Sequence, residues 1–313
     1  MPPAPDSLPA AGPLMLAGAT ATGKSEAALC LAERLDGEII SVDSMQVYRG
    51  LDRGTAKPSA ADRDRVPHHL IDVVSLSETF DAARFVRLAR EAVREIQARG
   101  RRPILCGGTG LYFEAFLKGL GDAPPADAAL RAELAATPLP GLLAELAARD
   151  PEAYERIDRR NPRRVIRALE VIRLTGRPFS SQRADWTGQA CESANLPFFG
   201  LVREPEDLTT RIRTRVDAMF QRGLVGETQE LLRQGLGENT NARQAIGYRE
   251  VIEHLRGERD LAQTIELVKT RTRQFAKRQM TWFRKHGRIQ WIQCASDEDG
   301  SRLADRILAS IER

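Results

Sequence analysis

Residues 18–25 read Gly18-Ala19-Thr20-Ala21-Thr22-Gly23-Lys24-Ser25, a full match to the G-x-x-x-x-G-K-[ST] pattern. A short apolar run, 14–17, precedes them, and Ala27, Ala28, Leu31 and Leu35 follow at helical spacing. Strand, loop and helix in that order form the setting in which this motif grips phosphate. Its glycines let successive N–H groups turn inward around phosphate oxygens, and the helix N-terminus adds a favourable dipole. Lys24 would put an ammonium on a diphosphate, and Ser25 would put a hydroxyl on Mg²⁺. Each of the eight residues is therefore a candidate diphosphate ligand, with Ser25 the candidate metal ligand.

A nucleotide hydrolase also needs a strand-end carboxylate to hold its metal. The segment Ile104-Leu105-Cys106-Gly107-Gly108 carries none, and no N-K-x-D guanine motif occurs. The loop thus reads as an ATP-binding-like motif that holds a diphosphate without the apparatus for γ-phosphate hydrolysis. Asp43 is the nearest carboxylate. It ends the apolar run 38–42 and opens Asp43-Ser44-Met45-Gln46-Val47-Tyr48. In an open parallel sheet the carboxyl ends of neighbouring strands face one crevice, which sets Asp43 near Thr20 and Lys24. A carboxylate there can accept a proton from an attacking amine or hydroxyl; capping a turn is the competing use.

The elements that must position these groups alternate. Strands are expected at 14–17, 38–42, 70–74, 104–106, 196–202 and 288–293. Ala82, Phe85, Val86, Ala89, Val93 and Ile96 mark an amphipathic helix over 81–99. Another begins near Thr109, and later helices are expected at 206–222, 227–234, 245–255, 261–286 and from 299. Such alternation argues for a parallel sheet with right-handed crossovers. Between 122 and about 190 the chain is rich in Pro, Ala, Leu, Glu and Arg, with no strand signal. The expected fold is an α/β, P-loop NTPase-like parallel sheet flanked by helices, with an inserted small all-helical domain. Its expected parts are a disordered leader (1–12), the first core part (13–121), the insertion (122–191) and a second core part with basic C-terminal helices (192–313).

Bulk properties narrow the setting. The chain has 313 residues, 42% hydrophobic and 29% charged, an ordinary soluble composition. No apolar run is long enough to span a bilayer, and the Pro- and Ala-rich start lacks the charged and apolar regions of a signal peptide. Cys30, Cys106, Cys191 and Cys294 are too scattered for a zinc site or disulfide framework, so a reduced cytoplasm is expected. The adjacent His68 and His69 do not converge on one metal as an i,i+4 pair would. Net charge is only +4, but its distribution is uneven. Residues 269–288 hold eight Lys or Arg and no acid, and 156–167 hold six Arg against one Asp. Such blocks face solvent or an anion, with nucleic-acid backbone the obvious candidate.

Taken together, residues 18–25, Asp43 to Tyr48, Gly54-Thr55-Ala56-Lys57-Pro58, His68-His69-Leu70-Ile71-Asp72, Gly107-Gly108-Thr109-Gly110-Leu111-Tyr112 and Arg167-Ala168-Leu169-Glu170 resemble the tRNA dimethylallyltransferase (tRNA isopentenyltransferase) family. The resemblance runs on through 211–223, Gln244-Ala245-Ile246-Gly247-Tyr248-Arg249 and Lys277-Arg278-Gln279-Met280-Thr281-Trp282-Phe283-Arg284, covering nearly the whole chain. It implies transfer of a dimethylallyl group from dimethylallyl diphosphate to N6 of adenosine 37, beside the tRNA anticodon, with Mg²⁺. It also implies catalytic roles for Asp43, Thr109 and Lys24, with Asp43 taking or orienting the N6 proton and Thr109 contacting the target adenine. Thr109 serves equally as a helix N-cap. Arg215 is a further diphosphate candidate, with helical ion pairing near Asp217 the alternative. The anticodon stem-loop would meet Asp43, Ser44, Met45, Gln46, Thr109, Arg131, Arg163, Arg164, Val165, Ile166, Arg167, Arg243, Gln244, Gly247, Tyr248, Arg249, Lys277, Arg278, Trp282 and Arg284. In the last long helix, Arg271, Arg278 and Lys285 share a face expected to point outward, and Val268, Phe275 and Trp282 share one expected to pack inward. The partners implied are tRNA and dimethylallyl diphosphate, without a membrane, for a monomer.

One departure stands out. Arg160-Asn161 precedes Pro162-Arg163-Arg164 where the family usually has Asn-Asp, which adds positive charge. Three other functions fit parts of the pattern: an isopentenyltransferase acting on free adenine nucleotide, a P-loop small-molecule kinase, and a non-catalytic RNA-binding module. The basic blocks distinguish the first, since a free nucleotide does not need them. ATP consumption would mark the second, and indifference to Asp43→Ala the third.

Overall fold

A computed structural model describes residues 12–121, 123–182 and 196–311. Residues 1–11 of the expected leader, Cys191 and the end of the expected insertion lie outside them. The chain divides into two compact units, one built from residues up to Phe116 and from Ser193 onward, the other from Leu117–Glu192.

The first unit is an α/β sandwich. Strands β1 (Leu14–Gly18), β2 (Gly37–Val42), β3 (His68–His69), β4 (Arg102–Gly107), β5 (Phe198–Val202) and β6 (Gln290–Gln293) form a six-stranded sheet in the order β3-β2-β4-β1-β5-β6. Every pairing is parallel. β1 is buried along its whole length, as a strand covered on both faces must be. Around the sheet run α1 (Lys24–Arg34), α2 (Ala60–Arg65), α3 (Ala82–Ala98) and α4 (Gly110–Lys118). Leu14, Leu16, Leu31, Ile104, Leu201 and Leu303 join in one core on one side of the sheet.

Two expectations about the sheet are corrected. Residues 70–74 are not a strand, because Leu70 and Asp72 adopt left-handed backbone (φ 61° and 58°), which no extended strand accommodates. Pairing stops at His69, and Val74 makes only an isolated bridge to Tyr48. Secondly, β1 and β2 are not neighbours. β4 lies between them, in register from Leu14↔Ile104 on one side and Gly37↔Arg102 on the other.

The second unit is helical, with α5 (Ala128–Ala136), α6 (Leu139–Arg149), α7 (Pro151–Arg156) and α8 (Pro162–Thr175). Leu134, Leu142, Leu146, Val165 and Leu169 form its core. Buried Glu170 accepts from the Asp127 N–H and from the Arg131 and Arg167 side chains. Back in the first unit, α9 (Pro205–Gln221), α10 (Leu224–Arg233), α11 (Tyr248–Leu255), α12 (Leu261–Phe283) and α13 (Gly300–Ile311) complete the chain. No described helix is long and apolar enough to cross a membrane.

Candidate active site

The loops after β1, β2 and β4 meet at the carboxyl edge of the sheet around a cavity of about 330 Å³. It is lined by Thr20, Lys24 and Ser25 from the phosphate loop, by Asp43, Ser44, Met45 and Gln46 after β2, by Thr109 after β4, by Arg215 of α9 and by Arg278 of α12. β4 separates β1 from β2, yet Asp43 still reaches this space because β4 ends in glycine. A Cβ on Gly107 would lie 2.1 Å from the Val42 carbonyl oxygen, so no side chain stands between the two loops. The Thr109 N–H donates to that same Val42 oxygen at 3.2 Å, fixing the base-side loops to each other.

The phosphate loop is held in a conformation it would not adopt alone. Ala21 sits at φ 65° and Gly23 at φ 97°. The first is a strained position for an L-residue and is kept by its surroundings. Those surroundings are cations on the loop's carbonyls. Lys24 Nζ donates to Ala19 O at 3.1 Å, Arg211 Nε to Ala21 O at 3.2 Å, and Arg203 Nε to Thr22 O at 2.8 Å. Arg203 is 4% exposed and also donates to Asp207, Ala295 O and Glu298 O. With the carbonyls drawn outward, the loop's N–H groups other than that of Thr20, which donates to Gln279, are left for an anion. The sequence reading assigned no role to Arg203 or to Arg211, although the family segment begins at 211, since each acts on a residue far along the chain, 181 and 190 positions away.

The charges are set by burial. Lys24 lies below the usual lysine range, chiefly because burial penalises its ammonium. Cys106 and Asp43 act to raise it, and Arg215 lowers it further. Burial likewise lowers Arg215, with Asp43 pulling the other way, though a guanidinium stays charged. Arg215 does not pair with Asp217, which is bound by Lys269 at 2.8 Å. Its Nε is buried with no partner among the described residues. Asp43 divides its carboxylate: Oδ1 accepts the Met45 and Gln46 N–H groups at 2.8 and 3.2 Å, and no described residue bonds Oδ2. The turn-cap and proton-acceptor readings are thus compatible.

Several residues expected to meet RNA are placed otherwise. Val165 is fully buried in the helical core and Tyr248 is fully buried as well. The Tyr248 hydroxyl accepts from Gly54 N–H and donates to Glu227, so neither side chain faces solvent. Gly247, at φ 97°, gives its N–H to Glu250. Ile166 packs against the helical core, while Arg131 and Arg167 are both bound to Glu170. Gln46 is spent on Ser41, Thr55 O and Ala56 O. Arg163, Arg164 and Arg284 are exposed. Arg243, Gln244 and Arg249 share a hollow of about 290 Å³, and Lys277, Arg278 and Trp282 share another of about 430 Å³. Arg271 does not face outward; it pairs with buried Glu250. Phe275 does not pack inward, being 37% exposed. It lies under the Arg278 guanidinium and lines the cavity with Met219, Ile246 and Val268. The sequence reading did not place these four apolar groups on a cavity wall, because each comes from ordinary helix or loop spacing.

A family model described as IPP transferase matches residues 46–286. The chain belongs to the IPP transferase family. It is accordingly a prenyltransferase. It is 48% identical over 89% of its length to tRNA dimethylallyltransferase 1 of Trichlorobacter lovleyi, covering 92% of that protein. It is 42% identical to tRNA dimethylallyltransferase of Pelotomaculum thermopropionicum, with 96% of each chain covered. The crystal structure of a full-length tRNA isopentenylpyrophosphate transferase from Bacillus halodurans superposes with a TM-score of 0.70 at 40% identity, covering 96% of each chain. A eukaryotic dimethylallyltransferase acting on tRNA superposes at 0.75 and 30% identity, over 90% of this chain and 73% of that one.

Proposed function

We propose that this IPP transferase moves a dimethylallyl group from dimethylallyl diphosphate to N6 of adenosine 37 in tRNA, releasing diphosphate. The observation that carries the reading is the juxtaposition, in one cavity, of a phosphate loop with no hydrolytic carboxylate and an Asp43 oxygen that no described residue bonds. The N6 lone pair attacks the allylic C1, the C1–O bond breaks, and its electrons leave with the diphosphate. The N6 proton passes to Asp43. Lys24, Arg215 and the loop N–H groups meet the negative charge that grows on the leaving group. Thr109 faces the adenine side, and Phe275, Val268, Ile246 and Met219 offer the apolar wall that an isoprenoid tail needs. Cys106, at the cavity floor, is no rival nucleophile. Burial pushes its thiol up to about 11, and only the thiolate attacks.

Mg²⁺ suits the donors present. Magnesium takes few protein oxygens beside substrate phosphate and water, and Ser25 lines the cavity with the Asp43 carboxylate. Ser25 would hold it, and when bound it would neutralise diphosphate charge. The cationic segments support a tRNA rather than a free nucleotide, with exposed Arg163 and Arg164 and the α12 face of Lys277, Arg278 and Trp282 as contacts to the anticodon stem-loop. The adenosine must leave its stack to enter the cavity. The reading implies a cytoplasmic enzyme that works as a monomer, with the segment 122–191, whose described part carries α5 to α8, as a tRNA-binding insertion.

The direct test incubates the protein with Mg²⁺, dimethylallyl diphosphate and unmodified tRNA, followed by mass spectrometry of the nucleosides. A prenylated adenosine is expected. No product across several A37-bearing tRNAs, or equal turnover with AMP, would overturn the reading.

Lys24 supplies a pH signature. Its folded pKa lies below the unfolded value of about 10.4. Between those two values the folded, ligand-free protein binds fewer protons than the unfolded chain, so stability rises with pH across that window. A bound diphosphate favours the ammonium and raises the pKa again. Diphosphate binding in the alkaline range should therefore take up a proton. Calorimetry in two buffers of different ionisation enthalpy should detect the uptake, and Lys24→Met should remove it.

A further inference from the structure

The Gly107-Gly108-Thr109-Gly110 segment owes two of its glycines to α12. A Cβ on Gly108 would come within 2.2 Å of Gln279 Nε2, and one on Gly110 within 2.1 Å of the Trp282 ring. Gln279 and Trp282 are three residues apart on α12 and share a face, so α12 sits directly on the backbone of the loop that carries Thr109. Gln279 is 7% exposed and uses both ends of its amide. Oε1 accepts the Thr20 N–H at 2.9 Å, and Nε2 donates to the Gly108 carbonyl at 3.0 Å. The reverse orientation would set donor against donor and acceptor against acceptor. One planar group therefore joins the loop after β1 to the loop after β4.

We infer that Gln279 is a positioning residue that sets the separation between the departing diphosphate and the attacking base. The inference rests on the proposed function. Thr20 belongs to the loop that holds the leaving group, and Gly108 precedes the residue that faces the adenine. Attack at C1 needs both partners in near-contact alignment, and an error of about 1 Å can cost about 10²-fold in rate. A rigid link between the loops supplies that alignment from the cavity wall, which Gln279 also lines. The basic residues Lys277 and Arg278 lie on the same helix, so the group that spaces the loops is part of the element that meets RNA in the proposed function.

Two variants test this. Gln279→Leu removes both hydrogen bonds. Gln279→Glu keeps the shape and the acceptor for Thr20 but sets a carboxylate against the Gly108 carbonyl. Single-turnover transfer and KM for each substrate are measured for both variants and the unaltered protein from acid to alkaline pH, with Tm as the control for folding. Gln279→Leu should lower the single-turnover rate about 10²-fold while each KM stays within about threefold. Gln279→Glu should lose rate at neutral pH and recover toward the unaltered protein as pH falls. A protonated carboxyl can again donate to Gly108 O and accept from Thr20. The charged and titratable groups around the position are Lys24 of α1, Asp43 after β2, Cys106 of β4, Arg215 of α9 and Arg278 of α12. All are common to both proteins and cancel in the rate ratio at each pH. A Gln279→Leu rate within about threefold of normal would overturn the role, as would a Gln279→Glu variant equal to the unaltered protein at every pH, since shape alone would then suffice. Absence of transfer by the unaltered protein would overturn the proposed function and this role with it.

Discussion

Replacing Asp43 by alanine should lower kcat by about 10²–10⁴-fold, the range that a positioned general base supplies, with tRNA affinity kept within a few-fold. The decisive comparison is Asp43→Asn. Oδ1 of Asp43 caps the turn by accepting the Met45 and Gln46 N–H groups, and an asparagine oxygen can accept both bonds. The asparagine variant therefore keeps the loop and loses only the proton acceptor. If Asp43 takes the N6 proton, Asn and Ala should be about equally slow. If its work is the turn, Asn should run near the normal rate and Ala should be slow and less stable. Filter binding of tRNA and single-turnover kinetics, run on both variants, separate the two outcomes.

Arg215→Met should cost about 10²–10³-fold in kcat/KM, as the loss of one preorganised donor to a developing anion does, while leaving the Tm of the ligand-free protein unlowered. The second half is the sharper claim. A buried Nε without a partner among the described residues carries an uncompensated desolvation cost, and burial already disfavours the charge. The neighbouring cation Lys24 adds repulsion, relieved only in part by Asp43. An ion pair of purely structural value would show the opposite, since breaking one destabilises. Arg215→Lys should recover only part of the activity, because an ammonium lacks the forked donors that span a diphosphate. Thermal melts with and without inorganic diphosphate check both parts. A Tm that falls in the ligand-free variant with catalysis intact would assign Arg215 to the fold.

The functional placement of the three loops follows from connections that the chain makes locally. Each strand runs straight into its loop, so the motif at residues 18–25, Asp43 after β2 and Thr109 after β4 were bound to emerge at one edge of a parallel sheet. Helices such as α3 and α12 were equally visible, because a 3.6-residue period is written in the sequence. The strand expected at 70–74 failed for a local reason that composition hides. Leu70 and Asp72 take left-handed backbone, with Asp72 held by Lys57 and Arg63.

Long-range pairing was not legible. Whether β1 neighbours β2 or β4 depends on hydrogen bonds between segments some 90 residues apart, and no spacing rule encodes that choice. The same holds for the fate of individual side chains. Arg271 and Arg278 lie two turns apart on one helix face, yet one pairs with buried Glu250 and the other lines the cavity. Val165 and Tyr248 sit within segments expected to meet RNA but are buried, since a motif shows which residues travel together and not which way each one points.

By itself, then, the sequence determined the phosphate loop, the missing hydrolytic carboxylate, the alternation of strands and helices, and the family, because all of these reside in short-range order of residue types. The tertiary structure alone decided what surrounds the loop: Arg203 and Arg211 on its carbonyls, Gln279 between Thr20 and Gly108, and the apolar wall of Phe275, Val268, Ile246 and Met219. Those contacts join residues that lie far apart along the chain, and only packing brings them within hydrogen-bonding or van der Waals reach.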